Sequence, residues 1–168
     1  MPDRSDALAE APAPFVSSVM RVEPQWIDYN GHLNMAYYNV LFDRGADEAF
    51  VLLGMGPDYL KTRRHSTMTA EAHVRYLREI HEGAPVTATC HLIAADAKRI
   101  HYFQELRHAE DGWLSATSEC MMLHVDMTAK KVAPFPPDIA ANVQRMLAAH
   151  ARVPRPEGVS RRIAMPGA

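Results

Sequence analysis

The feature that most constrains the fold is a change in hydrophobic period near residue 34. From about Asn34 to Leu53 apolar side chains recur at the spacing that lines one face of an amphipathic helix. This face comprises Tyr38, Leu41, Phe42, Gly45, Ala49, Leu52 and Leu53. The segment GMGPDY, residues 54–59, contains residues that end helices. The pattern predicts one long helix, and Gly45 on its apolar face predicts a close approach of the helix backbone to a sheet.

Four strand-like runs follow this helix. They are STMTAEAHVRYLRE, APVTATCHLIAADA, KRIHYFQELRHAE and WLSATSECMMLHVDM. The short connections ADAK and EDGW predict that the last three runs form an antiparallel meander, because Asp111-Gly112 is a strong hairpin-turn pair. A further strand-like run, FVSSVMRVEP, precedes the helix. The expected fold class is therefore α+β, with a long antiparallel sheet and one long central helix.

The chain of 168 residues has the length of one domain. We predict a flexible leader over residues 1–14, a folded domain over 15–150 and an extended or flexible tail over 151–168. A short helix is expected near the end of the domain, with Ile139, Val143, Met146 and Leu147 on one side. One long helix cannot cover the apolar residues on both faces of the meander, so we expect a homodimer or homotetramer.

Composition limits which partners the protein can bind and in which cellular compartment it is expected. The net charge of −2 gives no general attraction to nucleic acid or to anionic membranes. Cys90 and Cys120 stand in apolar strand-like runs without a C-x-x-C pair, which indicates buried thiols in a reducing compartment. No apolar stretch approaches the length of a membrane span, and the N-terminus lacks the apolar core of a secretory signal. We therefore expect a cytoplasmic protein.

The segment that enters the helix carries the candidate chemistry. In QWIDYNGHLNMAYYNVLF, residues 25–42, polar side chains occupy every second position before the apolar run begins. These are Asp28, Asn30, His32 and Asn34. Their spacing also resembles the first ligands of a calcium loop. Leu33 and Asn39 stand where such a loop needs glycine and an acidic residue, so we expect no metal site.

The motif DYNGHLNMAYY, residues 28–38, is similar to the signature of hotdog-fold thioesterases of the 4-hydroxybenzoyl-CoA thioesterase-like superfamily. Members carry an aspartate ahead of the long helix in a D-x-x-G pattern, here Asp28 and Gly31, and the acyl-carrier branch has a D-x-N-x-H-x-N version. The 4-hydroxybenzoyl-CoA type has proline after its aspartate, where this chain has Tyr29. The segments TAEAHVRYLREIHEGAPV, KRIHYFQELRH and ATSECMMLHVD also resemble thioesterases of carnitine breakdown, which release betaine from its CoA thioester.

The resemblance implies a sheet wrapped around the central helix and hydrolysis of an acyl-CoA, either betainyl-CoA or another short acyl-CoA. No cofactor is implied, because coenzyme A is part of the substrate. Thioester cleavage needs a carboxylate that attacks or activates water, and donors that stabilise charge on the carbonyl oxygen. Asp28 would be the nucleophile or general base, with an ordinary helix-entry aspartate as the alternative. His32 would be a donor or proton shuttle.

The remaining polar residues of the motif would support this reaction. Asn30 and Asn34 would orient the substrate or cap the helix, and Asn is a preferred N-cap residue. The free backbone N–H groups of residues 31–35 would polarise the carbonyl group. Gly31 would let the substrate come close to the backbone.

Substrate contacts are also expected from other segments. Glu71 would serve as a second carboxylate or as the counter-charge of a quaternary ammonium, unless it pairs with Arg75. His73 shares its strand face and is a further candidate for a substrate contact, with a structural role as the alternative. Tyr37 and Tyr38 offer aromatic faces to a trimethylammonium group, with a core position as the alternative.

Coenzyme A carries phosphates that need basic partners. Lys98 and Arg99 stand at the mouth of a hairpin and are the candidates to bind them, with Arg63, Arg64 and His65 in another loop. Solvated surface charges are the alternative for both groups.

Two other functions remain open from the sequence. A hydratase or dehydratase of the same fold also uses an aspartate and a histidine near the helix entry, but its pattern has proline after the asparagine, where this chain has Gly31. A non-catalytic acyl-CoA binding module would keep the pocket without the reaction.

Overall fold

The computed structural model describes residues 13–165. Residues 1–12 of the predicted leader and residues 166–168 of the predicted tail therefore lie outside the described residues. The helices are α1 (Met35–Leu53), α2 (Pro57–Arg63) and α3 (Pro137–His150). The strands are β1 (Phe15–Val16), β2 (Met20–Arg21), β3 (His65–Tyr76), β4 (Pro85–Ala95), β5 (Arg99–His108), β6 (Leu114–Asp126) and β7 (Lys131–Val132). One turn of 3-10 helix covers Pro24–Trp26.

Helix α1 begins and ends where the sequence predicts. Asn34 is its N-cap, and the side-chain Oδ1 accepts a hydrogen bond from the Ala36 N–H at 3.0 Å. Gly54 ends the helix in the left-handed conformation, with φ of 91°. A Cβ added to Gly45 would lie 2.6 Å from the Cβ of Ala88 on β4. The predicted close approach of the helix to the sheet is therefore confirmed.

Strands β4, β5 and β6 form the predicted antiparallel meander, and β3 pairs with the other edge of β6. The strand order is β1-β4-β5-β6-β3, while β2 also pairs with β4 and β7 with β6. At the end of β3, Tyr76 lies opposite Ala116 of β6. The Tyr76 hydroxyl donates to the carbonyl of Met35 at 3.2 Å, so this end of the sheet meets the start of α1.

Two segments differ from the sequence prediction. The run FVSSVMRVEP forms two short strands instead of one, because Ser17 leaves the ladder to exchange 2.9 Å hydrogen bonds with Ala88 through its backbone N–H and its hydroxyl. The next N–H, of Ser18, donates to Glu48 of α1. In GMGPDY, Gly54 ends α1 as expected, but Pro57 begins the further helix α2 in the first-turn position that suits proline.

The core lies between α1 and the sheet in two clusters. The cluster at the start of α1 includes Trp26, Leu33, Tyr38, Leu41, Val86 and Leu106. The cluster at its end includes Ala49, Leu53, Leu92, Ile100, Ile139 and Val143, and is covered by α3. Cys90 and Cys120 are free and buried, as predicted. No helix within residues 13–165 is both long and apolar enough to cross a bilayer.

The edge strand β3 and the tail complete the fold. A β-bulge interrupts β3 between Thr69 and Glu71. The described part of the tail, residues 151–165, contains neither helix nor strand. It is attached at Ser160, whose N–H donates to both carboxylate oxygens of Glu119 at 2.9 and 2.8 Å.

Candidate active site

The polar motif forms a tight hairpin ahead of α1. Ile27 and Leu33 form an isolated antiparallel β-bridge. The Asp28 N–H donates to the His32 carbonyl at 3.1 Å, and the Gly31 N–H donates to the Asp28 carbonyl at 3.0 Å. Gly31 has φ of 81°, the left-handed conformation that closes a three-residue hairpin loop. Asp28, Asn30 and His32 thus belong to a hairpin that precedes the helix, and only Asn34 is part of the helix start, as its N-cap.

The carboxylate of Asp28 is held by two donors. One oxygen accepts the Asn30 N–H at 2.8 Å, and the other accepts the Asn34 side-chain amide at 3.4 Å. The amide oxygen of Asn34 accepts the Ala36 N–H. A single side chain therefore caps α1 and orients Asp28, which fixes the half-buried carboxylate relative to the helix start.

The hairpin uses most of the backbone donors expected over residues 31–35. The N–H groups of Gly31, Leu33 and Asn34 donate to the carbonyls of Asp28, Ile80 and Trp26. The expectation that all five are free is therefore wrong for these three, because the hairpin and the segment at Ile80 supply their acceptors. The Met35 N–H, at the first position of α1, has no acceptor within the described part of the chain.

A cavity of about 360 Å³ opens beside Asp28. Its walls are formed by Asp28, His32, Leu33, Met35, Tyr38, Tyr76, Leu77, Arg78 and Glu79. Burial raises the pKa of the Tyr38 hydroxyl, so the phenol stays neutral near pH 7. The ring of Tyr76 meets that of Tyr38 edge to face, with centroids 5.0 Å apart. The site thus combines a carboxylate, a helix start and an aromatic wall.

Other residues of the motif lie around this cavity instead of lining it. The side chain of Asn30 is exposed, and Gly31 faces open space while its carbonyl meets the His81 ring at 3.1 Å. Tyr37 stacks on Trp26 with ring centroids 5.7 Å apart, which is the core alternative for this tyrosine.

Glu71 and His73 are not brought together with Asp28 in the described chain. They line a different cavity of about 500 Å³, together with His101, Glu119 and the tail. The bulge in β3 is the physical reason, because an extra residue reverses which face later side chains occupy. Glu71 forms no ion pair with Arg75 in the described structure.

Lys98 and Arg99 lie at the other end of the sheet from Asp28. Arg99 pairs with Leu123, which pairs with Met68, and Met68 is eight positions along β3 from Tyr76. This separation is about 27 Å. Arg99 is also paired with Asp96 at 2.6 Å.

Sequence reasoning missed Tyr76, Arg78 and Glu79 as site residues. They stand at the end of the strand-like run STMTAEAHVRYLRE, and nothing in their local spacing marks them as site residues. The contact between this strand end and Met35 depends on the register of β3 against β6, and a local pattern does not encode that register.

Comparison with known proteins gives a consistent result. The model of the thioesterase-like superfamily matches residues 22–143. The chain is 37% identical to a betainyl-CoA thioesterase from Pseudomonas aeruginosa over 145 residues, which is 86% of this chain and 91% of the relative. It is 36% identical over 143 residues to an L-carnitine dehydrogenase/betainyl-CoA thioesterase from Rhizobium meliloti, and spans 85% of its own length but 29% of that relative.

Among solved structures, a Staphylococcus aureus protein determined in complex with CoA superposes with a TM-score of 0.83 and 27% identity. The match covers 90% of this chain and 95% of that chain. These similarities confirm the predicted antiparallel sheet around one long helix. They also favour thioester hydrolysis over the hydratase and non-catalytic alternatives.

Proposed function

Because the chain belongs to the thioesterase-like superfamily and is an acyl-CoA thioesterase, we propose that Asp28 is its catalytic carboxylate and that betainyl-CoA is its substrate. The observation that carries this proposal is the position of the oriented Asp28 carboxylate, in one cavity with the start of α1. The substrate part is supported by the two relatives whose names include betainyl-CoA thioesterase.

The reaction follows from these positions. The thioester carbonyl oxygen points to the Met35 N–H, where the helix dipole favours developing negative charge. As a nucleophile, Asp28 attacks the carbonyl carbon and forms a mixed anhydride as the C–S bond breaks and CoA leaves. Water then hydrolyses the anhydride. As a general base, Asp28 takes a proton from water, and the hydroxide displaces CoA directly. Either route consumes water and needs no further cofactor.

His32 and Asn34 have supporting roles in this proposal. His32 lines the cavity and donates to, or exchanges a proton with, the departing thiolate. Asn34 keeps one oxygen of Asp28 directed through its side-chain amide. Asn30 acts through its backbone N–H on the other oxygen.

A homo-oligomer is the second part of the proposal. Strand β3 has one edge without a paired strand in the described sheet and carries consecutive exposed residues from 68 to 72. Antiparallel pairing of two β3 edges about a two-fold axis would bring the start of one β3 beside the end of the other. The partner's Lys98 and Arg99 would then approach the Asp28 end of the sheet and contact CoA phosphates. Light scattering at micromolar concentration tests this, and a monomer would contradict it.

The test of Asp28 is the substitution Asp28→Asn, with CoA release from betainyl-CoA followed by a thiol reagent. We expect kcat to fall by at least about 100-fold, since the amide neither attacks nor accepts a proton. The exposed acid of α2 provides the control Asp58→Asn, which removes an equal charge and should retain activity. Equal activity of the wild type and Asp28→Asn would refute the assignment.

A single turnover in ¹⁸O-water detects the nucleophilic route when water opens the anhydride at the Asp28 carbonyl. Attack of water on the Asp28 side of a mixed anhydride leaves ¹⁸O in the Asp28 peptide, which mass spectrometry detects. A general base acquires no label.

We also propose a cytoplasmic location, supported by the two free, buried cysteines, and cell fractionation tests it.

A further inference from the structure

The proposed substrate makes a specific chemical demand. Its acyl group ends in a quaternary ammonium that is permanently positive and has no N–H, so it forms no conventional hydrogen bond. Such a group is bound by carboxylates and by the faces of aromatic rings. Resting on the proposed function, we propose that Tyr76 and Glu79 form the subsite that selects this cation, on the cavity wall beside Asp28.

Tyr76 presents a fixed aromatic ring to the cavity. Its hydroxyl is held by the Met35 carbonyl at 3.2 Å, and its ring is set edge to face against the buried Tyr38. The side chain is nevertheless 43% exposed, so ring surface remains accessible to a ligand. Little conformational freedom is left to lose on binding, which favours affinity.

Glu79 places a second carboxylate on the same wall. Its side chain is 61% exposed, and its nearest basic neighbour is the His81 Nε2 at 3.6 Å. The other ring nitrogen of His81 lies 3.1 Å from the Gly31 carbonyl and donates to it. The exposed carboxylate of Glu79 is thus accessible to the substrate from the cavity.

Arg78 also lines the cavity and carries the opposite charge. Its guanidinium stacks over the ring of Trp113, 4.0 Å from the centroid, so that an aromatic face outside the cavity lining already receives it. The two carboxylates of the lining, Asp28 and Glu79, outnumber this one guanidinium. The wall is therefore suited to a cation more than to a neutral acyl group.

The dimensions agree with this assignment. A cavity of about 360 Å³ lies in the range of small-molecule pockets. In the betaine acyl group only one methylene separates the carbonyl carbon from the nitrogen. A carbonyl held between Asp28 and the Met35 N–H therefore keeps the ammonium inside the same cavity, where Tyr76 and Glu79 are within reach.

The test compares two substrates of the same shape. Betainyl-CoA carries the trimethylammonium group, and 3,3-dimethylbutanoyl-CoA has a neutral tert-butyl group in its place. We expect Glu79→Gln and Tyr76→Leu each to lower kcat/KM for betainyl-CoA about tenfold and to change it less than about twofold for the neutral isostere. Tyr76→Phe keeps the ring face and should keep the preference. Glu82→Gln, an exposed acid outside the cavity lining, controls for net charge.

Activity on the neutral isostere also shows that each variant is folded. Equal losses on both substrates, or no loss on either, would overturn the subsite while leaving the thioesterase function intact. A wild type that cleaves the isostere at least as well as betainyl-CoA would overturn the subsite and the proposed substrate together. A wild type that releases CoA from neither would refute the proposed function itself.

Discussion

His150 makes the stability of this protein depend on pH. It lies at the end of α3 with 1% of its surface exposed, and its Nδ1 accepts the Leu92 N–H of β4 at 2.9 Å. That hydrogen bond requires an unprotonated Nδ1. Burial, with a smaller contribution from the charge of His91, lowers the pKa of His150 from 6.5 to about 4.

The size and sign of the effect follow from proton linkage. Because the folded state disfavours the charged imidazole, the contribution is fully present above pH 6.5 and is lost as the pH falls toward 4. One pKa unit corresponds to about 1.4 kcal/mol, so His150 should remove about 3 kcal/mol of unfolding free energy over this interval. Below pH 4 both states bind the proton, and no further loss is due to this residue.

The assay is urea unfolding of the wild type and His150→Asn between pH 4 and 7.5. The amide oxygen of Asn takes nearly the place of Nδ1 and accepts the Leu92 N–H, but it does not titrate in this range. The wild type should lose about 3 kcal/mol more than the variant on acidification. His150→Leu should be less stable at every pH, by about 1–3 kcal/mol, because it leaves the N–H unsatisfied. Parallel pH profiles of the wild type and His150→Asn would refute this account.

Three further substitutions test the packing of α1 on the sheet, its N-cap and the hairpin loop before it. Gly45→Ala should lower the unfolding free energy by about 1–3 kcal/mol in urea, because its Cβ meets that of Ala88 at 2.6 Å, and adding Ala88→Gly should restore most of the loss. Asn34→Ala should cost about 1 kcal/mol of stability and also slow CoA release, since the cap and the Asp28 donor are lost together. Gly31→Ala should lower the melting temperature through about 1–2 kcal/mol of strain at φ of 81°, while Gly31→Asn should be tolerated better.

Much of the fold follows from local pattern. The apolar period predicts α1, and Asn34 and Gly54 mark its ends because capping depends on neighbouring residues only. Period-two runs and the Asp111-Gly112 turn likewise predict the meander. The first strand is predicted less well, because the Ser17 hydroxyl competes with the ladder, which an apolar pattern does not report.

The site could be predicted only in part, because its second wall is nonlocal. Asp28 and its neighbours are visible as a motif, but Tyr76 and Glu79 reach the cavity through the register of β3 on β6. The faces of Glu71 and His73 were also hidden by the bulge. Thr69 and Ala72 both line a cavity between the sheet and α1, where Phe42 also lies, although simple alternation would put them on opposite faces of the strand. One inserted residue thus moves Glu71 and His73 away from α1.

The two walls of the site differ in how they are coupled to folding. Asn34 joins the Asp28 carboxylate to the cap of α1, so a change there alters helix stability and catalysis together. Glu79 is exposed and lies beyond the end of β3, so its substitution should alter substrate choice at little cost in stability. In the proposed mechanism the reaction depends on the helix entry, whereas the acyl preference depends on a wall that we expect to tolerate substitution.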